Sequence, residues 1–419
     1  MRRNRWLMGL VLAATALAVW AQPAAARIKL ATLPVRERVE IQLENENATL
    51  VEEERVVTLL KGTNHIDFSW TNTQIDKWTI LFRPLAVADT VRVINQSYPP
   101  GENALVWEVF ADNAGPVKVR ISYIIGNLRR NFSYRATAEN SEKTLTLRTY
   151  MRVNNYSGEE FGMAGVWGGI AGIFQKEMGL QEAKEILVAK FAEVPITKKF
   201  IFNWQSGQRV PDEPNQRYVI MDYVLKNEGA KGAAAKPAAK PGEEATTLGT
   251  FPLPYGKVRI FVKDSKQPPN EAFLGEDWGQ FTPIDDEMKL YLGQARDVKV
   301  ERTVKKNDRT AIHGNLFSQE VIVQYKMQNF KKDALTLDIE EDMNALRNEF
   351  CGGGKDHEAS WELLAQTTDK SKVERKSAQK VEIHVALPAA PKADEKKPDE
   401  VKKPDEVIFL LHLMFKNEW

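Results

Sequence analysis

Cysteine is almost missing: Cys351 is the single one in 419 residues. One thiol cannot close an internal disulfide, so stability has to come from buried apolar side chains. Net charge is missing too. The formal balance is +1, which is not the basic surface that tracks a phosphate backbone, and nucleic acid is not expected as a partner. Histidine is scarce, with five residues at 65, 313, 357, 384 and 412. No Gly-x-Ser-x-Gly elbow occurs to carry a serine nucleophile. No apolar run reaches the roughly 20 residues that span a bilayer. The longest, Trp6–Trp20, is too short, so no integral membrane span is expected in the mature chain.

What is present is ordinary globular material, 43% hydrophobic and 27% charged. That excludes global disorder. A single core stops growing at ~250–300 residues, so a chain of 419 residues predicts two domains. The first 26 residues have the three parts of a secretory signal. Met1-Arg2-Arg3-Asn4-Arg5 is basic, Trp6–Trp20 is apolar, and Ala24-Ala25-Ala26 offers the cleavage site. The expected location is therefore periplasmic or secreted, after cleavage near Ala26. Loss of Arg2, Arg3 and Arg5 would leave the mature balance slightly acidic.

From Val39 the pattern has period two. Val39-Glu40-Ile41-Gln42-Leu43, Arg55–Leu60, His65–Trp70, Trp78–Phe82, Thr90–Ile94 and Leu105–Ala111 read as strands. In Val117–Ile125, residues Val117, Val119, Ile121, Tyr123 and Ile125 share one face. Thr144–Val153 alternates again, then Asn154–Phe161 supplies the Asn, Ser and Gly of a turn. Short strands between such turns predict an all-β, sandwich-like fold. One segment breaks the pattern. Ile173, Phe174, Met178, Ala183, Ile186, Leu187, Ala189 and Phe191 recur at helical spacing, which predicts one amphipathic helix near 170–192 before Pro195.

Two stretches have no apolar face. Residues 230–246 are rich in Ala, Lys, Pro and Gly, and 387–406 carry Lys-Lys-Pro-Asp-Glu-Val twice in tandem. Both predict disordered surface loops. The second is expected inside a hairpin that pairs Val381–Val385 with Val407–Phe415. The expected organisation is a signal peptide 1–26, a β-sandwich domain 27–192 ending in the helix, and a second β-sandwich domain 193–419.

The stretch Phe251–Val304 reads as strands linked by corners at Leu274-Gly275-Glu276-Asp277 and Leu292-Gly293. It begins Leu253-Pro254-x-Gly256-x-Val258. Thr282-Pro283 and Leu292-Gly293-x-Ala295-x-Asp297-Val298 follow. Upstream stands Val153-Asn154-Asn155-Tyr156-Ser157-Gly158-Glu159-Glu160-Phe161. With these motifs the chain resembles the bacterial domain of unknown function 4139, also called mucoidy-inhibitor-A-like, loosely and in order from about Ala48 onward. The resemblance implies an exported β-rich protein and brings no catalytic residue. The motif positions it singles out are Asn154, Ser157, Gly158, Glu159, Gly256, Leu274, Gly275, Glu276, Gly293 and Asp297.

Chemistry-bearing clusters are few. Glu276-Asp277 and Asp285-Asp286-Glu287 are the acid clusters of the stretch Phe251–Val304. A glycosidase needs two carboxyls ~5–9.5 Å apart across a cleft, whereas Gly and Asp between strands ordinarily make corners. Cys351 and His357 flank a Gly-rich turn, and a lone Cys-x5-His pair falls short of a metal site. Trp70, Trp78, Trp107, Trp204 and Trp278 could stack on sugar rings, although strand Trp ordinarily packs. No catalytic residue, metal or cofactor is expected. The function expected is a non-catalytic binding or structural module of the cell envelope, with an envelope protein or glycan as partner. The alternative is an envelope polysaccharide or peptidoglycan hydrolase built on acids near Glu276 and Asp286.

Overall fold

The computed structural model describes residues 31–45, 47–85, 89–229, 248–266, 268–353, 357–391 and 403–419. The expected signal segment, the whole stretch 230–246, and most of the tandem repeat lie outside them. Among the described residues the fold is mainly β, in five sheets. The contacts divide it into two compact units interleaved in sequence, where the sequence predicts a single cut between 192 and 193. One unit takes the described part of Met1–Arg129 with Asn154–Trp167 and Phe174–Glu182. The other takes Arg130–Val153, Gly168–Ile173 and Ala183–Trp419.

The first unit has two sheets. One is four-stranded, in the order Ala31–Thr32, Gly62–Ser69, Ala104–Ala111, Val91–Ser97. The other is six-stranded, in the order Ile173–Met178, Gly162–Trp167, Arg38–Gln42, Thr49–Leu59, Gly115–Ile125, Leu81–Pro84. Alternation gives each sheet one apolar face, and the two faces close on each other. Val117, Val119, Ile121, Tyr123 and Ile125 are all buried, as their shared parity predicts. Phe68 lies 5.9 Å from Tyr123 across the layers, and Phe82 lies 4.9 Å from Trp107.

The second unit holds a five-stranded sheet and two six-stranded sheets. The five-stranded sheet runs Glu182–Pro195, Thr144–Asn155, Leu128–Ala138, Gly256–Lys263, Glu271–Gly279. The two larger sheets share one core. It includes Phe202, Leu337, Ile339, Ile383 and Val385 from one, and Val321, Val323, Leu411, Leu413 and Phe415 from the other.

Three expectations are corrected. The helix near 170–192 is absent: Ile173–Met178 and Glu182–Pro195 are strands, joined through a turn with positive φ at Gln181. Phe174 and Met178 are four apart, and that spacing keeps one face of a strand as well as of a helix. Within Glu182–Pro195 the buried positions Ile186, Val188, Ala189, Phe191 and Val194 change parity twice, which imitates a 3.6-residue period. The expected C-terminal hairpin does not form either. Lys380–Leu387 pairs with Leu335–Asp342 and Val373–Arg375, while Val407–Glu418 pairs with Leu316–Asn329 and Ser360–Leu363. Their apolar faces meet across the core instead, and hydrophobic pattern specifies a face but not a partner.

The Leu274-Gly275 and Leu292-Gly293 corners are bulges inside strands. Ile260 pairs with Gly275 and Phe261 with Phe273, which leaves Leu274 unpaired in the ladder. Gly293 pairs with Met221 and Tyr291 with Asp222, which leaves Leu292 unpaired. An extra residue in one strand is the definition of a bulge, and in sequence it looks the same as a turn. The sequence reading also missed a helix, Met343–Cys351, whose N-cap Asp342 accepts from Ala345 N at 2.9 Å.

Candidate functional site: a polar cleft in the first unit

The strand Thr49–Leu59 breaks its own pattern. Val51, Glu53, Arg55, Val57 and Leu59 share the inward parity, so two charged residues stand among apolar ones. Glu53 pairs in the ladder with Ile121 and Arg55 with Val119, both buried. A charge on the core face persists when it is paired and hydrogen-bonded. Here Glu53, with its side chain fully buried, accepts from Arg36 and, at 3.0 Å, from Arg55 Nη2. Arg36 also reaches Glu159 and donates from Nη1 to the Glu160 carbonyl at 2.8 Å. Arg55 donates to the Pro34 carbonyl. Burial penalises the Arg36 cation, but Glu53 and Glu159 outweigh it and hold its pKa above the ordinary arginine value.

This chain of ion pairs frames a cleft of about 230 Å³. Arg36, Arg55, Asp67 and Glu159 are its charged lining, and Phe68, Trp70 and Tyr123 its aromatic wall. Tyr123 is fully buried and its hydroxyl has no partner; Arg55 Nε is likewise buried and unpaired. Burial pushes the Tyr123 phenol pKa well up, so it stays a neutral O–H that can donate and accept.

The corner singled out in the sequence delivers Glu159 to this cleft. Its organiser is Asn155, one residue beyond Asn154. Asn155 Nδ2 donates to the Glu159 and Gly179 carbonyls, both at 2.8 Å. Its Oδ1 accepts from Ser157 Oγ at 2.7 Å, and Ser157 Oγ accepts from Glu159 N at 3.2 Å. Gly158 has φ 82, and a Cβ there would stand 1.9 Å from the Asn72 carbonyl oxygen. The glycine is therefore required twice, by its dihedral and by the close approach.

The remaining motif positions lie in the second unit and do not converge. Gly256 lets its strand pack beside Phe132, whose carbonyl oxygen would meet a Cβ at 2.5 Å. Glu276 bonds Lys257 at 2.7 Å and Arg259 at 3.3 Å. The hydrogen bond from Lys257, more than any other cause, lowers its pKa. Asp277 accepts from Tyr291 N, Asp286 caps Glu287 N, and Asp297 pairs with Lys331 at 2.7 Å. Gly275 and Gly293 serve the two bulges. The acids considered for a hydrolase are thus committed to ladder, turn and ion-pair roles.

Cys351 packs against the core of the two larger sheets, and His357 stacks on Trp419 at 4.1 Å beside Glu418. Among the described residues, the group that brings three possible metal ligands within 4.8 Å of one another is Asp338, Glu382 and His384. Lys199 and Lys376 already face its acids at 3.9 and 3.0 Å. Of the five tryptophans considered for stacking on sugars, Trp70 and Trp107 are buried. Trp204 is gripped by Arg217 and Arg302, while Trp78 and Trp278 are exposed.

Arg36, Arg55, Asp67 and Tyr123 were not expected as site residues, Tyr123 being expected only on a core face. The signal for Arg55 and for Glu53, the buried acid behind the lining, was legible: both sit at the inward parity between Val51 and Val57. The long-range partners Arg36 and Glu159 carry no such mark. The sequence matches no family model, and no curated protein matches it.

Proposed function

We propose that the protein is an exported, non-catalytic binding protein of the cell envelope, and that the cleft of the first unit is where it binds. Export is supported by the three-part pattern of residues 1–26. Binding without chemistry is supported by one observation above the others: Arg36 clamps Glu53 and Glu159 together. A glycosidase needs an acid and a base that face the substrate and exchange protons with it, whereas these two carboxylates are both engaged with one guanidinium. The clamped acids are a rigid frame, which is what a binding site needs so that little ordering remains to be done when the ligand arrives. The resemblance to the domain of unknown function 4139 agrees with an exported β-rich body and adds no activity.

Two measurements test this reading. Mass spectrometry of the protein from its own cells should find a mature chain beginning near Arg27. An intact Met1–Ala26 segment on a cytosolic protein refutes export. The purified mature chain, mixed with insoluble envelope glycan and spun, should pellet with it, and Arg36→Met should pellet less. Equal recovery of both in the supernatant refutes the cleft as the binding site.

A further inference from the structure

We infer that the cleft takes a single neutral, hydroxylated ring: one sugar residue. The inference rests on the binding reading above and deepens it. Charge comes first. Arg36 and Arg55 face the cleft together with Asp67 and Glu159, and the buried Glu53 already joins the two guanidiniums. An anion would have to approach Asp67 and Glu159, and a cation would have to approach Arg36 and Arg55. A neutral ligand meets neither repulsion. Hydrogen bonding comes next. The unpartnered buried groups on the lining are the Tyr123 hydroxyl and Arg55 Nε. A buried polar group left unpaired is costly, so a ligand that offers oxygen to both removes that cost. A sugar hydroxyl accepts from Nε–H, and another can accept from or donate to the phenol.

Shape gives the third constraint. Phe68 and Trp70, with ring centroids 5.8 Å apart, form an aromatic side of the cleft against which the C–H face of a ring can lie. The cleft, at about 230 Å³, is below the ~300–1,000 Å³ of sites that enclose drug-sized ligands. That is room for one ring, and we take a polymer to enter by a terminal residue.

The test is calorimetric titration of the full mature chain, wild type and Tyr123→Phe. Separate probes are D-glucose, N-acetylglucosamine, inorganic phosphate and n-butylammonium. Tyr123→Phe keeps the ring against Phe68 and removes the unpaired hydroxyl, so its thermal midpoint should not fall. One of the two sugars should bind the wild type, and Tyr123→Phe should weaken it about fivefold, the loss of one neutral hydrogen bond. Phosphate and butylammonium should give no heat. Sugar binding unchanged by Tyr123→Phe overturns the site, and absence of heat from both sugars overturns the class. Binding of phosphate or butylammonium that Tyr123→Phe weakens overturns the sugar while leaving the protein a binder. Loss of pelleting in the glycan assay is what overturns the binding reading itself.

Discussion

Gly158→Ala is the sharpest probe of how the cleft is built. The residue has φ 82, and an added Cβ would lie 1.9 Å from the Asn72 carbonyl oxygen and 2.9 Å from its carbon. Those are backbone atoms, so no side-chain rotation relieves the clash. A left-handed conformation costs a non-glycine residue ~1–2 kcal/mol, and forcing packed structure apart costs ~1–3 kcal/mol more. The first unit should lose about 2–5 kcal/mol. Gly162→Ala is the control. Its φ is 63, but nothing lies within 4 Å of its Cβ position, so it should cost ~1–2 kcal/mol from the dihedral alone. Urea unfolding followed by tryptophan fluorescence reads both as shifts of midpoint at constant slope. The corner 154–161 also carries Glu159 to Arg36, so Gly158→Ala should weaken ligand binding while Gly162→Ala leaves it unchanged. Equal costs for the two variants would refute the close approach on which this reasoning stands.

Other perturbations follow from the same contacts. Glu53→Gln leaves two guanidiniums on the core face without their shared carboxylate, and should cost ~3–5 kcal/mol in urea unfolding; an unchanged midpoint would contradict the ion-pair frame. In the second unit burial raises the Glu341 pKa from 4.5 to about 6. Arg302 stands 3.9 Å away and is committed to Glu349 at 2.9 Å. A raised carboxyl binds its proton better when folded. Its contribution, about 2 kcal/mol, is therefore present below pH ~4.5 and lost as pH rises through 6. Glu341→Gln should abolish that slope and stabilise the protein at pH 7–8, as measured by thermal unfolding across pH. Deleting Val407–Trp419 removes a strand that pairs on both sides and carries Phe409, Leu411, Leu413 and Phe415 into the core. At ~1.5–3 kcal/mol per buried side chain the loss rivals the ~5–15 kcal/mol that holds a domain together. Circular dichroism and unfolding should show no cooperative second unit, and a native-like transition would contradict the strand order.

Local alternation carried much of the fold. The inward face of Val117–Ile125 and the strands at 38–42 and 104–111 follow from period two alone. What failed was whatever depends on distant partners. The strand Glu182–Pro195 imitates a helix because its burial changes parity twice, and nothing nearby in sequence marks a parity change. Lys380–Leu387 and Val407–Glu418 are apolar on one face for the same core, so alternation could not tell pairing side by side from packing face to face. The cleft was legible in part. Ser157, Gly158 and Glu159 stood out as turn chemistry, and they do form the corner that aims Glu159. Their partner Arg36 lies more than a hundred residues away, and an isolated arginine before a strand has no periodicity to betray it. Tyr123 was assigned to the core correctly, but its unpartnered hydroxyl is a property of the assembled layers.

The central claim is binding without turnover, and reducing-end release measures it most directly. The mature chain is incubated at neutral pH with envelope polysaccharide and with peptidoglycan, and new reducing ends are counted while the bound protein is recovered by sedimentation. Because Glu53 and Glu159 are both tied to Arg36 and Glu276 to Lys257 and Arg259, the account predicts bound protein and no release above the blank. Release above the blank that disappears in Glu159→Gln or Glu276→Gln would contradict it and make the protein a hydrolase.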